Sequence, residues 1–211
     1  PDLNDDEWPD LLETVVKAAD GNANIVCGLT PKDTQNTIED AKRAQDMGAI
    51  GLQIDLPFFH HPNQDDHVRH FTAISDAIDI GIMIYNTYWF CLDPVNEYLK
   101  AETMTRLKDA EHVVAMKWSV PDGEDYGDMQ KFSDDFNVID NSGRTKSVWC
   151  HQNGGAGYIS QFVAVYPAHD IHVFQLMEQG LYKEAQEEIE TANRELGPWI
   201  DKTKLKSGGY R

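Results

Sequence analysis

Residues 112–120 read His-Val-Val-Ala-Met-Lys-Trp-Ser-Val, an apolar run that sets a lysine, Lys117, beside a tryptophan. Apolar residues without polar alternation mark a strand covered on both faces, the habit of a parallel sheet. The reading 113–119 is therefore a buried parallel strand. Five further segments read the same way, at 24–29, 49–56, 80–87, 137–141 and 157–161. Helical patterns fill the gaps at 34–47, 63–77 and 93–110. In the first of these, Ile38, Ala41 and Gln45 share a face and Gly48 offers a stop. Strand and helix alternate at intervals of about thirty residues, the rhythm of βα units.

Composition bounds what such a sheet can serve. The 211 residues suffice for one domain with a sizeable core or for two small ones. A 41% hydrophobic content with scattered aromatics is that of a globular chain. The formal net charge of −18 excludes nucleic acid as a partner, because a phosphate backbone repels it. No run approaches the ~18 apolar residues of a membrane span, so no membrane partner is expected. Cys27, Cys91 and Cys150 lie far apart without metal or redox spacing. They are expected as reduced, buried thiols of a cytoplasmic protein.

After residue 161 the pattern turns wholly helical, with Leu181, Ala185, Ile189, Ala192 and Leu196 on one face. The expected organisation is a βα region over 1–165 and a helical segment over 166–211. Six βα units fit either an open six-stranded sheet or an eight-unit (β/α)8 barrel that lacks its first two units here. A doubly wound open sheet normally carries a Gly-rich phosphate turn after its first strand, and none is present.

Barrel sites lie at the C-terminal ends of strands, where Tyr85 and Lys117 fall. A lysine among apolar side chains has its ammonium form disfavoured, and the neutral amine attacks carbonyls to give an imine. A phenol one strand away can move the protons. The alternative is a structural lysine paired with Asp140 or Asp55. The loop Asn141-Ser142-Gly143-Arg144 faces the same mouth and offers hydrogen bonds or a carboxylate reader, or is an ordinary βα loop. His60, His61, His67 and His70 cluster beside Asp65 and Asp66, which raises a metal site. The two adjacent histidines do not share a helical face, so a solvated or interface loop is expected instead. Asp122–Asp125 reads as a solvated loop leading into a helix start.

Four stretches together resemble the dihydrodipicolinate synthase / N-acetylneuraminate lyase superfamily of class I aldolases, which are (β/α)8 barrels. Ile84-Tyr85-Asn86 resembles its "YN" strand end, and Val113-Val114-Ala115-Met116-Lys117 its "IVGIK" strand. Asn153 to Ser160 resembles "GGxGxIS", and Leu56-Pro57-Phe58-Phe59 stands where members read "TPYY" or "TPFY". The resemblance implies that Lys117 forms the imine, that Tyr85 relays the proton and that Ile159 contributes its carbonyl to the site. It also implies that the first two units, with their carboxylate-binding threonine loop, precede Pro1 and that further helices follow Arg211.

Departures from that pattern bear on the substrate. Phe59 replaces a relay tyrosine, and Phe90 stands where a dihydrodipicolinate synthase has its dicarboxylate-reading arginine. The chain thus departs from a true dihydrodipicolinate synthase. Tyr88, Trp89 and Phe90 imply a bulkier acceptor pocket, and Asp6-Glu7-Trp8 is similar to the aromatic hydratase-aldolases of the superfamily. The expectation is a cytoplasmic lyase acting on a 2-oxo acid such as pyruvate and an aldehyde, without metal or organic cofactor. A dimer or tetramer is implied, with Phe58 and Phe59 near the interface. The competing readings are a non-catalytic oxo-acid-binding barrel and a metal-dependent hydrolase.

Overall fold

The computed structural model describes residues 3–30, 32–57, 61–91 and 97–207, the side chains at 200, 201 and 203–207 excepted. Six strands form one sheet: β1 (Val26–Leu29), β2 (Gly51–Asp55), β3 (Gly81–Tyr85), β4 (Val113–Trp118), β5 (Asn137–Asp140) and β6 (Gly157–Tyr158). Their spatial order is their order in the chain, and β1–β2, β2–β3 and β3–β4 pair in parallel. A doubly wound sheet reverses its strand order at a switch point, and this sheet never does. Uninterrupted succession is the order of a (β/α)8 barrel.

The chain divides into two compact units, Pro1–Ile139 and Asp140–Arg211. The division expected at 165/166 marks a different event, the point where strands give way to helices. In the first unit α1 (Glu7–Ala19) precedes β1, and α2 (Thr34–Asp46), α3 (Gln64–Ser75) and α4 (Ala101–Arg106) carry the crossovers from β1 to β4. Local capping sets the starts of α2 and α3. Asp33 accepts from the Asn36 amide at 3.0 Å ahead of α2. Asn63 and Asp66 exchange reciprocal bonds of 3.0 Å ahead of α3, a capping box. Asp125 accepts from the Gly127 amide at the head of the 3₁₀ turn Tyr126–Lys131, as expected of the acidic run.

The helix expected over 93–110 contracts to α4, and residues 92–96 lie outside the described part. Side chains account for the loss. Gln64 and Asn86 bond the backbone of Tyr98, Leu99 and Lys100 and hold it extended.

Strand pairing sorts the side chains into two faces. Leu52, Ile54, Ile82, Ile84 and Met116 are fully buried on one, and Trp118 meets Phe132 edge-on at 5.1 Å. Gln53, Asp55, Met83, Tyr85, Ala115 and Lys117 take the other, with Asp55 opposite Tyr85 and Tyr85 opposite Lys117. Simple alternation from Val113 would turn Lys117 to the first face. The register instead shifts by one: Ile82 pairs Val113, and Met83 pairs Ala115. Val114 is thus the extra residue of a β-bulge. Gly81 belongs to the same feature, since a Cβ there would come within 2.9 Å of the Val114 side chain.

In the second unit α5 (Ser147–Gln152), α6 (Pro167–Glu178) and α7 (Tyr182–Ser207) close on a core of Val148, Val173, Met177, Ala185 and Ile189. The apolar face read from 181 onward is buried at Ala185, Ile189 and Ala192. Gly155 is required by contact, because a Cβ there would stand 2.3 Å from the Cys150 sulfur. All three cysteines are free thiols and buried.

Candidate active site

The first unit brings Lys117 and Tyr85 together. Lys117 is only 8% exposed, and its Nζ lies 3.5 Å from the centroid of the Tyr85 ring. The same nitrogen donates to Gln53 Oε1 at 3.3 Å. Burial lowers the pKa of the amine, with the carboxylate of Asp55 opposing that shift. Its partners are thus a neutral amide oxygen and a ring face worth about 0.5–2 kcal/mol to a cation. Neither is a counter-ion in contact. Of the two carboxylates named as structural partners, Asp55 acts on the amine through its charge. Asp140 accepts from Ser142 N, Ser142 Oγ and Ser147 Oγ at 3.0, 2.9 and 2.7 Å, within its own unit.

Asp55 is half-buried, and burial pushes its carboxyl up to about 6, the charge of Lys117 pulling the other way. The folded chain therefore holds this proton more tightly than the unfolded chain does. Its cost to stability is absent below the ordinary value of 3.8 and complete above about pH 6.

Asn86 fixes the end of β3. It is fully buried, donates to the carbonyls of Leu99 (3.0 Å) and Ser119 (3.2 Å), and accepts from the Leu99 amide at 3.2 Å. Its own amide bonds the Lys117 carbonyl at 3.2 Å, tying the two strand ends together. Asn86→Ala would strand three buried backbone groups at about 1–3 kcal/mol each. We expect a loss of roughly 3 kcal/mol or more in urea unfolding, together with weaker activity.

Beyond Asn86 the 3₁₀ turn Tyr88–Phe90 presents an aromatic ladder. Trp89 stacks edge-on against Tyr85 at 5.5 Å and Tyr88 at 5.2 Å, and Phe90 lies 6.1 Å further along. Trp89 remains 38% and Phe90 46% exposed, large apolar surfaces available to a ligand. Phe59 lies outside the described residues.

Within the second unit Arg144 is buried at a left-handed φ of 76°, just after Gly143. Its Nη1 faces Asp170 at 3.6 Å, and the guanidinium lies 4.7 Å over the Phe162 ring. Asp170 also accepts from Ser160 Oγ at 2.8 Å and Tyr158 Oη at 3.1 Å. Burial first, and then Asp170, raise the Tyr158 phenol above its ordinary range. Nε and Nη2 of Arg144 find no hydrogen-bond partner among the described residues. Asn141 is half-buried, and the exposed Ile159 donates its amide to the Asp140 carbonyl at 2.8 Å.

His61 is exposed, as expected of a solvated loop, whereas His67 and His70 are buried. His67 is fully buried with Nε2 2.6 Å from the Glu97 carbonyl, and His70 Nδ1 meets Thr34 Oγ1 at 2.9 Å. They lie on the buried side of α3, so backbone and hydroxyl oxygens engage them. Among the described residues no cluster of three His, Cys, Asp or Glu could hold a metal ion. His60 is outside that set. Gln53 and Asn86 escaped the sequence reading as site components, because neither carries a charge to mark it. Asp55 was read there only as a structural partner of Lys117, and its placement beside Tyr85 needs the strand register.

Residues 1–207 match the family described as the dihydrodipicolinate synthetase family. A 4-hydroxy-tetrahydrodipicolinate synthase of Staphylococcus saprophyticus is 31% identical over 170 residues. That match covers 79% of this chain and 56% of the relative, so the chain spans little more than half its length. The dihydrodipicolinate synthase structure from Thermotoga maritima superposes with a TM-score of 0.81 at 24% identity, over 95% of this chain and 67% of that one. The Aquifex aeolicus structure gives 0.79 at 24% identity, over 92% and 65%. With the strand order, these likenesses decide for the (β/α)8 barrel over the open sheet. No helix among the described residues is long and apolar enough to cross a membrane.

Proposed function

We propose a function from a settled premise: this chain belongs to the dihydrodipicolinate synthetase family. On that premise the protein is a class I lyase or aldolase. Lys117 attacks the C2 carbonyl of pyruvate or a related 2-oxo acid, and an aldehyde is then joined to, or released from, the enamine. The observation that carries the reading is the buried Lys117 amine, lowered in pKa and 3.5 Å over Tyr85. Tyr85 moves the proton.

Tyr88, Trp89 and Phe90 shape the acceptor side. An aromatic ladder with no arginine at position 90 favours a bulky or aromatic aldehyde, as a hydratase-aldolase uses, and Phe59 joins the proposal as a substrate-binding residue on its place in the sequence alone. Arg144, Asn141 and the Ile159 carbonyl join the proposal as substrate-binding groups on their places in the sequence alone. No cofactor is called for, because the imine formed on the lysine is itself the electron sink. A cytoplasmic location suits three free thiols, and a homo-oligomer belongs to the same proposal.

Borohydride reduction in the presence of pyruvate tests it. We expect one adduct per chain, mapped by mass spectrometry to Lys117. Saturable pyruvate binding with no adduct at any pH would favour the non-catalytic barrel that the losses at positions 59 and 90 allow. With the adduct in hand, aliphatic, sugar and aromatic aldehydes are compared by kcat/KM. Aromatic acceptors should lead by roughly tenfold or more, the scale on which pocket contacts discriminate.

A further inference from the structure

Asp55, Tyr85 and Lys117 occupy one row of three adjacent parallel strands, each directly paired with the next. Neighbouring strands lie about 4.8 Å apart, so Tyr85 adjoins both of the others. Lys117 narrows the remaining gap. Its amine crosses the Tyr85 ring and bonds Gln53 Oε1 on β2, two residues before Asp55 and on the same face. The reacting nitrogen therefore rests at the strand of the carboxylate rather than its own.

We propose that Asp55 is a proton-handling carboxylate of the imine chemistry, working beside Tyr85. The inference rests on the reading of Lys117 as the imine-forming residue. Addition of the amine to C2 forms the N–C bond and leaves a carbinolamine hydroxyl. Asp55, protonated, gives that hydroxyl its proton; water departs as the nitrogen lone pair closes the C=N bond. The resulting carboxylate takes a proton from C3. The C–H electron pair forms C2=C3, the C=N π pair returns to nitrogen, and Asp55 is protonated again. No outside reactant enters the cycle.

Two further observations fit the role. Burial holds the carboxyl near 6, where it serves as acid or base close to neutral pH. The titratable groups facing it are few. Tyr85 stands on β3 and Lys117 on β4, while β1 presents Gly28 at the level of Gln53, with no charged side chain at that face among the described residues.

The test follows exchange of the pyruvate C3 protons in heavy water from pH 5 to 9, with borohydride trapping in parallel. The wild-type exchange rate should bend near pH 6. Asp55→Asn should lose the bend and slow exchange by about 10²-fold or more, while the adduct still maps to Lys117. Asp55→Glu should recover the bend. An Asn variant that traps pyruvate and exchanges like wild type overturns the role of Asp55 alone. So does a Glu variant no better than Asn. A wild-type protein that forms no adduct overturns the reading of Lys117, and this one with it.

Discussion

Lys117→Ala should leave no reducible pyruvate adduct and lower turnover by more than about 10³-fold, because the covalent route vanishes with the nucleophile. Lys117→Arg should fare no better, since a guanidinium stays protonated and forms no imine. The informative companion measurement is stability. The lysine pKa is lowered in the folded chain, so its burial costs stability at every pH below the lowered value and ceases to do so above the ordinary value of 10.5. Removing it relieves that cost at neutral pH and loses one amide hydrogen bond and one ring contact. Urea unfolding of Lys117→Ala should therefore match or exceed wild type. A lysine kept for structure predicts the reverse, with activity retained and stability lost by ~3 kcal/mol, as when one partner of a buried ion pair is removed.

Tyr85→Phe is the second large effect. The substitution keeps the ring that lies under the amine and the edge contact to Trp89, and removes only the hydroxyl. Turnover should fall by about 10²–10³-fold, the range for losing one general acid–base group. The adduct should still map to Lys117, reached more slowly. Retention of activity within about twofold would mean that another group carries the proton. In that case the Asp55→Asn variant should show the larger loss.

The strands were legible as unbroken apolar runs, although burial in β1, β2 and β3 is complete on one face only, and the lysine at 117 was legible because a charge interrupts one. Their ends were less so. The reading 80–87 overran β3 because Asn86 leaves the ladder to bind other segments, a tertiary choice with no local signal. The helix expected at 93–110 yielded to side-chain bonds from Gln64 and Asn86, residues far from it in sequence. His67 and His70 read as solvated because spacing identifies a helix face without saying what packs on it. The proximity of Lys117 to Gln53 depends on a stem that leans across two strands, and no pattern along the chain records that. Arg144 read as an open cation; its pairing with Asp170 spans a loop and a helix.

The extra residue at Val114 has a consequence for protein engineering. Parity counted along β4 alone assigns the nucleophile to the wrong side of the sheet, whereas parity counted from its partner β3 assigns it correctly. Anyone transplanting this lysine into a barrel with a straight fourth strand should therefore align it to the residue opposite the phenol, not to its distance from the strand's start. The offset between the two counts is one position, and a graft made on the wrong count would bury an ammonium against the helices.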